Sequence, residues 1–331
     1  MFTNTVMRIV AVLVLAGAGI YFGLTYSWTA QTNEADSAAR PLKALERFDT
    51  SNAIIPVNRI LAGGPEPDGI PSIDKPKFVT VSDVDFLKDK DEVTVYSADG
   101  QSQIYPLRIL VWHEVVNDQI GDRAVAVTYC PLCGTAMVLD RMLDGEVLTF
   151  GISGLLYNSG VLLFDRQTDS LWTQLGRKGV SGEHVGRELR WLPSDQLTWA
   201  EAKKKYSDAQ VLSLETGYNK HYDSEAYVEY KNDPRNTFPV KFTRDDFERK
   251  AWVLGIEING RAKAYSIASL AEVKQVDDQI DQTKISITYD AETKLASVTN
   301  LETHEPVPSV RSYWFAWQAF YPETLVWQAE R

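Results

Sequence analysis

Both cysteines of the 331-residue chain fall in one short stretch, Thr128-Tyr129-Cys130-Pro131-Leu132-Cys133-Gly134. Three kinds of chemistry suit such a C-x-x-C pair. A tight turn can present two sulfurs to one metal ion, with the remaining ligands supplied from elsewhere. His113 is the best candidate for a third ligand because it precedes the strand that delivers Cys130, and Met137 offers a thioether just beyond the loop. Two thiolates with imidazole and thioether suit a soft ion, copper as Cu(I) first and zinc second. The pair can instead carry out thiol–disulfide exchange, with one thiol acidified by its surroundings. Gly134 and the alternating run after it argue against that, since they predict strand–turn–strand rather than a cysteine at a helix N-terminus. The third possibility is a structural disulfide in an oxidising compartment. So short a loop removes little chain entropy on closure, well under the roughly 3 kcal/mol expected of a 15-residue loop.

Other polar residues frame this pair. Glu114, beside His113, either orients that ring or is a solvated helix residue. Arg141, Asp165 and Arg166 read as an ion-pair network within a sheet in preference to a substrate clamp. Ser153 and Tyr157 are candidates for a cleft near the cysteines. Gly151-Ile152-Ser153-Gly154-Leu155 lacks the last glycine of a nucleophile elbow, so Ser153-Gly154 and Ser159-Gly160 are expected to be turns. His113-Glu114-Val115-Val116-Asn117 has Asn117 where a zincin helix needs its second histidine. His184, His221 and His304 sit among polar neighbours and are expected at the surface.

The elements that position these residues are mostly strands. Glu92 to Tyr105 reads as a hairpin turning at Asp99-Gly100. Pro106 opens a short helix through Trp112. Ala124 to Tyr129 is a strand ending at the first cysteine. Met137 to Leu139, Val147 to Phe150 and Val161 to Phe164 are further strand candidates, and Leu197 to Tyr206 has helical composition. The chain also resembles itself. At an offset of 160 positions, Val93, Gly100, Tyr105, Leu110 and Asp118-Gln119-Ile120 fall on Val253, Gly260, Tyr265, Leu270 and Asp278-Gln279-Ile280. At an offset of 115, Trp199, Tyr206 and Val211 fall on Trp314, Tyr321 and Val326. The drop from 160 to 115 leaves 45 residues in the first copy that the second lacks, between the cysteines and Trp199, placed to wall a site. The scaffold residues repeat but the chemical ones do not. Cys130, Cys133, His113 and Met137 fall on Asp290, Thr293, Val273 and Ser297.

Ile9 to Ala30 carries no charge and follows Arg8. As a helix it would span roughly 30 Å, enough for a bilayer core, with Trp28 at the interface and the rest of the chain outside. The expected plan is therefore an anchor over 1–30 and a tether over 31–51. A first half with the Cys-Pro-Leu-Cys site follows over 52–212, then a connection over 213–250 and a shortened second half over 251–331. The hydrophobic content of 44% is that of a globular chain, and a net charge of −11 disfavours nucleic acid as a partner.

These residues resemble the family catalogued as Domain of Unknown Function 3179. The resemblance rests on Asp68-Gly69-Ile70-Pro71, Tyr105-Pro106, Trp112-His113-Glu114-Val115-Val116-Asn117-Asp118 and the cysteine stretch. It continues through Ser153-Gly154-Leu155-Leu156-Tyr157-Asn158, Asp165-Arg166, Ser170-Leu171-Trp172 and Trp314-Phe315-Ala316-Trp317. It implies an exported or membrane-anchored protein and no established reaction. The expected fold is α+β, a mostly antiparallel, β-rich domain of two internally repeated halves after one N-terminal transmembrane helix. The expected function is binding of copper or zinc by an extracytoplasmic (periplasmic), single-pass membrane protein. The alternatives are a thiol-disulfide oxidoreductase and a non-catalytic subunit of a membrane complex with a structural disulfide.

Overall fold

Asp99 and Gly100 both take positive φ, 52° and 75°, the pair of angles that a two-residue hairpin turn requires. They join strand Glu92–Ala98 to strand Gln101–Pro106, as the alternation of Val93 and Val95 predicts. The computed structural model describes residues 43–224, 226–241 and 243–329. The candidate anchor and the start of the tether lie outside the described residues. Among the described residues no helix is long and apolar enough to cross a membrane.

Pro106 stands in extended backbone at the start of helix Leu107–His113. The helix stops at Glu114, whose φ of 58° turns the chain back while its N–H still reaches Leu110 O at 2.7 Å. The chain then runs through three antiparallel strands, Val115–Ile120, Arg123–Cys130 and Thr135–Asp140. The strand–turn–strand expected at the cysteines is what forms. Trp191–Leu192 adds a fourth strand beside Thr135–Asp140.

A five-stranded sheet follows, in the order Leu61–Ala62, Phe150–Tyr157, Gly160–Asp165, Leu171–Thr173, Gly179–Ser181. Here one expectation needs correction. Ser153-Gly154 is not a turn between strands but a bulge inside Phe150–Tyr157, where register shifts between Ile152 and Leu155. Ser153 Oγ donates to Leu162 O at 2.5 Å and accepts from Leu155 N–H at 3.1 Å, which satisfies groups the bulge frees. Gly154 has φ of 75°, and a Cβ there would lie 2.0 Å from Pro65 O, so only glycine fits. The turn lies at Asn158 and Ser159, both at positive φ.

The later chain forms hairpin Trp252–Ile258 and Arg261–Ser266, then helix Ile267–Val273. Strands Gln275–Ile280, Thr283–Tyr289 and Ala296–Asn300 follow, and helix Trp314–Phe320 closes the run. The hairpin is flanked antiparallel by Ser309–Tyr313 and parallel by Leu325–Trp327. The earlier hairpin is flanked likewise, antiparallel by Asp195–Thr198 and parallel by Gln210–Leu212. The fold is thus mostly antiparallel and β-rich, with a few short helices. One buried cluster gathers Trp172, Trp314 and Trp317 together with Cys130, Cys133 and Met137.

Candidate functional site

The cysteine turn is built by its own backbone. The N–H groups of Cys133 and Gly134 donate to Cys130 O at 3.2 and 2.9 Å. Gly134 takes φ of 69°, and a Cβ there would fall 2.6 Å from the ring of Trp252. The later chain holds the turn from outside, since Tyr313 N–H donates to Cys133 O at 2.9 Å. Both cysteines are free thiols, 1% and 0% exposed.

The two sulfurs meet in an asymmetric pair. Burial opposes ionisation of Cys130. It is outweighed by a hydrogen bond from the Cys133 thiol and by the backbone N–H groups of Val161, Cys133 and Leu132, so Cys130 lies below the ordinary thiol value. Cys133 is pushed well above it, first by its hydrogen bond to Cys130 and then by burial. Its sulfur also lies 3.6 Å from Ser159 O. Ser159 and Val161 belong to the segment expected to wall the site, and they do touch the cysteine pair.

Glu114 is buried at 5% exposure. Burial, and then the charge of Cys130, raise its carboxyl well above the usual range, which favours the protonated form beside the thiols; it is not a solvated helix residue. The sign of its effect on stability follows. With a folded-state value above the unfolded one, its contribution is present below the unfolded pKa, about 4.3, and is lost as pH rises through the folded value. Glu114→Gln is therefore expected to raise stability above about pH 6 by 1 kcal/mol or more and to change little near pH 4. Urea unfolding at the two pH values measures this; equal effects at both would show that Glu114 is not held neutral.

His113 is fully buried but otherwise engaged. Its Nδ1 lies 2.7 Å from Pro71 O and its Nε2 2.6 Å from Tyr222 Oη. A carbonyl only accepts, so Nδ1 carries the proton. Burial lowers the ring's pKa, which leaves Nε2 neutral and accepting from the Tyr222 hydroxyl. The Tyr222 oxygen lies 2.6 Å from Thr216 Oγ1. The imidazole lone pair expected to serve a metal is thus committed to tyrosine. Among the described residues no group of three His, Cys, Asp or Glu side chains is arranged to hold a metal ion.

Met137 is buried in the same cluster as both cysteines, and its strand partner Thr128 places it on their face of the sheet. Arg141, Asp165 and Arg166 do not form one network. Arg141 donates to three backbone carbonyls, of Val125, Leu148 and Asp118. Asp165 accepts from Trp172 Nε1 at 2.8 Å and from Thr168. Arg166 grips Asp68 with two hydrogen bonds of 2.6 and 2.9 Å. Tyr157 packs edge-on against Phe320 in a hydrophobic contact. His221 and His304 are exposed as expected; His184 is half-buried against Trp172.

The sequence reads the aromatic and polar stretch Tyr218 to Tyr230 as a connection that could also line a groove, without placing it at the cysteines. The stretch read as a connection lies over the turn, where Tyr230 Oη donates to Leu132 O at 2.8 Å. Burial and then the charges of Cys133 and Cys130 raise the Tyr230 phenol, and burial with Glu114 and Cys130 raises Tyr227. The available signal was the density of Tyr218, Tyr222, Tyr227 and Tyr230 in thirteen residues.

The sequence model of the family described as "Protein of unknown function (DUF3179)" matches residues 67–324. No curated protein matches the chain, and no solved structure does.

Proposed function

The chain belongs to the DUF3179 family, whose description assigns no activity, and from its residues we propose that it binds a soft monovalent metal ion, Cu(I), through Cys130 and Cys133. The observation that carries this is the cysteine turn itself. Two buried, unoxidised sulfurs face each other, and three backbone N–H groups already favour the thiolate on one of them. Soft thiolates select Cu(I), and Cu(I) accepts two sulfurs where zinc asks for four ligands. Met137 supplies a thioether in the same buried cluster. With His113 committed to Tyr222, the copper reading outranks zinc.

The asymmetry of the pair favours a second reading, thiol–disulfide exchange with a small partner that can pass the tyrosine cover. Anaerobic titration of the reduced, full-length protein with Cu(I) against a chromophoric chelator separates the two. One tightly held ion per chain supports the metal reading. No competition with the chelator, joined to rapid disulfide formation in a glutathione buffer, would replace it with the redox one.

The two-copy reading of the scaffold belongs to this proposal. Its support is that strands Glu92–Ala98 and Trp252–Ile258, and helices Leu107–His113 and Ile267–Val273, have bounds 160 positions apart. Helices Trp199–Lys205 and Trp314–Phe320 have bounds 115 apart. Tyr105 Oη donates to Asp118 at 2.6 Å, and Tyr265 Oη to Asp278 at 2.9 Å. One copy carries the sulfurs and the other clamps them through Tyr313 and Trp252.

The uncharged run Ile9 to Ala30 supports an uncleaved anchor, with the domain on the extracytoplasmic side of the cell membrane. Full-length protein is expected in the membrane fraction, resistant to carbonate extraction. A soluble form beginning near Gln31 would sink the anchor.

A further inference from the structure

A cleft of 390 Å³ opens between the loop holding Lys88 and Lys90, helix Leu107–His113 and the side chains of Trp252 and Tyr313. That volume suits a small molecule. Tyr129 and Tyr313 line it and are 6% and 5% exposed. Among the described residues neither hydroxyl has a hydrogen-bond partner. Both residues line the cleft, so each hydroxyl can donate to an acceptor that enters it. A phenol hydroxyl is a hydrogen-bond donor, and these two have no acceptor within the described chain. Two in one cleft point to an acceptor that the chain itself does not supply.

The charge of the cleft says what kind. Lys88, Lys90 and Arg108 line it. Asp91 and Glu92 also line it, but Asp91 pairs with Arg108 at 3.1 Å, and Glu92 pairs with Arg311 and with Lys294 at 2.6 Å. Asp223, also on the lining, is 97% exposed in its side chain and lies 3.5 Å from Arg108. The remaining field favours an anion in a chain whose net charge is −11. Trp252, 38% exposed, gives the wall a flat apolar face.

We propose that this cleft is a binding site for a small organic anion whose oxyanion head accepts from Tyr129 and Tyr313 and whose body lies against Trp252. Successive side chains of a strand point to opposite faces, so Tyr129 and Cys130 serve different sides of the sheet. The site stands whether or not the sulfurs hold a metal.

The test is calorimetric titration of the full-length protein with benzoate and phenyl phosphate, and with benzamide and benzylamine as neutral and cationic counterparts. At least one anion is expected to bind about tenfold or more tighter than benzamide, since hydrogen bonds to charged groups are the strong ones. Which anion it is separates a carboxylate from a phosphate head. Tyr129→Phe and Tyr313→Phe keep the rings and remove the donors, so each should melt normally yet bind about tenfold more weakly. The proposal is overturned if benzamide or benzylamine binds as tightly as both anions. It is equally overturned if the two phenylalanine variants bind like the wild type, or if neither anion binds at millimolar concentration.

Discussion

Cys130→Ser is expected to lower Cu(I) affinity by about three orders of magnitude or more, equivalent to roughly 4 kcal/mol. The substitution replaces a soft donor by a hard hydroxyl at the atom on which the N–H groups of Val161, Cys133 and Leu132 converge. Cys133→Ser should be similarly severe, because two-sulfur coordination leaves nothing after one sulfur is lost. Met137→Leu keeps the volume of a fully buried side chain and should cost about tenfold at most. The informative member of the set is His113→Ala. Its Nε2 accepts from Tyr222, so affinity should stay within about twofold even though stability falls, since removing the ring strands the Tyr222 hydroxyl and Pro71 carbonyl. Competitive titration of the four variants checks this. An affinity loss in His113→Ala equal to that of Cys130→Ser would return the imidazole to the metal and refute the two-sulfur site.

What the sequence made legible were local features. The Asp99-Gly100 turn, the proline before helix Leu107–His113 and the strand into Cys130 each depend on residues within a few positions of one another. The Cys-Pro-Leu-Cys turn was legible for the same reason, because Gly134 at positive φ is a property of that residue. The partners of His113 were not legible. Pro71 is 42 positions before it and Tyr222 109 after it, and no periodicity connects them. For Glu114 the sequence left orientation of His113 and exposure to solvent equally open, and only the left-handed turn it makes, which buries it beside the thiols, removes the second. Ser153-Gly154 did mislead. Its turn chemistry was real, but it serves a bulge pressed against Pro65 within a sheet. In each miss the deciding contact came from another part of the chain.

Arg311→Ala is expected to destabilise the protein by about 2–3 kcal/mol, near the lower end of what breaking a buried ion pair costs because Lys294 still holds Glu92. Arg311 is 7% exposed, contacts Glu92 across 219 positions of sequence, and lies 5.7 Å from the ring of Trp252. Burial alone would raise the Glu92 carboxyl, but Arg311 and then Lys294 outweigh it and hold the value below the usual range. The sign of the pH dependence follows from that. A depressed carboxylate contributes stability that is present above the unfolded pKa, about 4.3, and lost as pH falls through the folded value. The difference between wild type and Arg311→Ala should therefore be full at pH 6 and shrink below about pH 4. The consequence reaches the thiols, because the strand carrying Arg311 also carries Tyr313, whose N–H holds Cys133 O at 2.9 Å, and Trp252 covers Gly134. Loosening that strand should expose the cysteine turn, raising the reaction rate of the two thiols with a chromogenic disulfide reagent about tenfold or more, as expected when local opening becomes easier by roughly 1.4 kcal/mol. Denaturant melts at the two pH values and thiol kinetics in native buffer measure the two effects separately. A variant that melts early but reacts no faster would show that the later chain braces the fold without guarding the sulfurs.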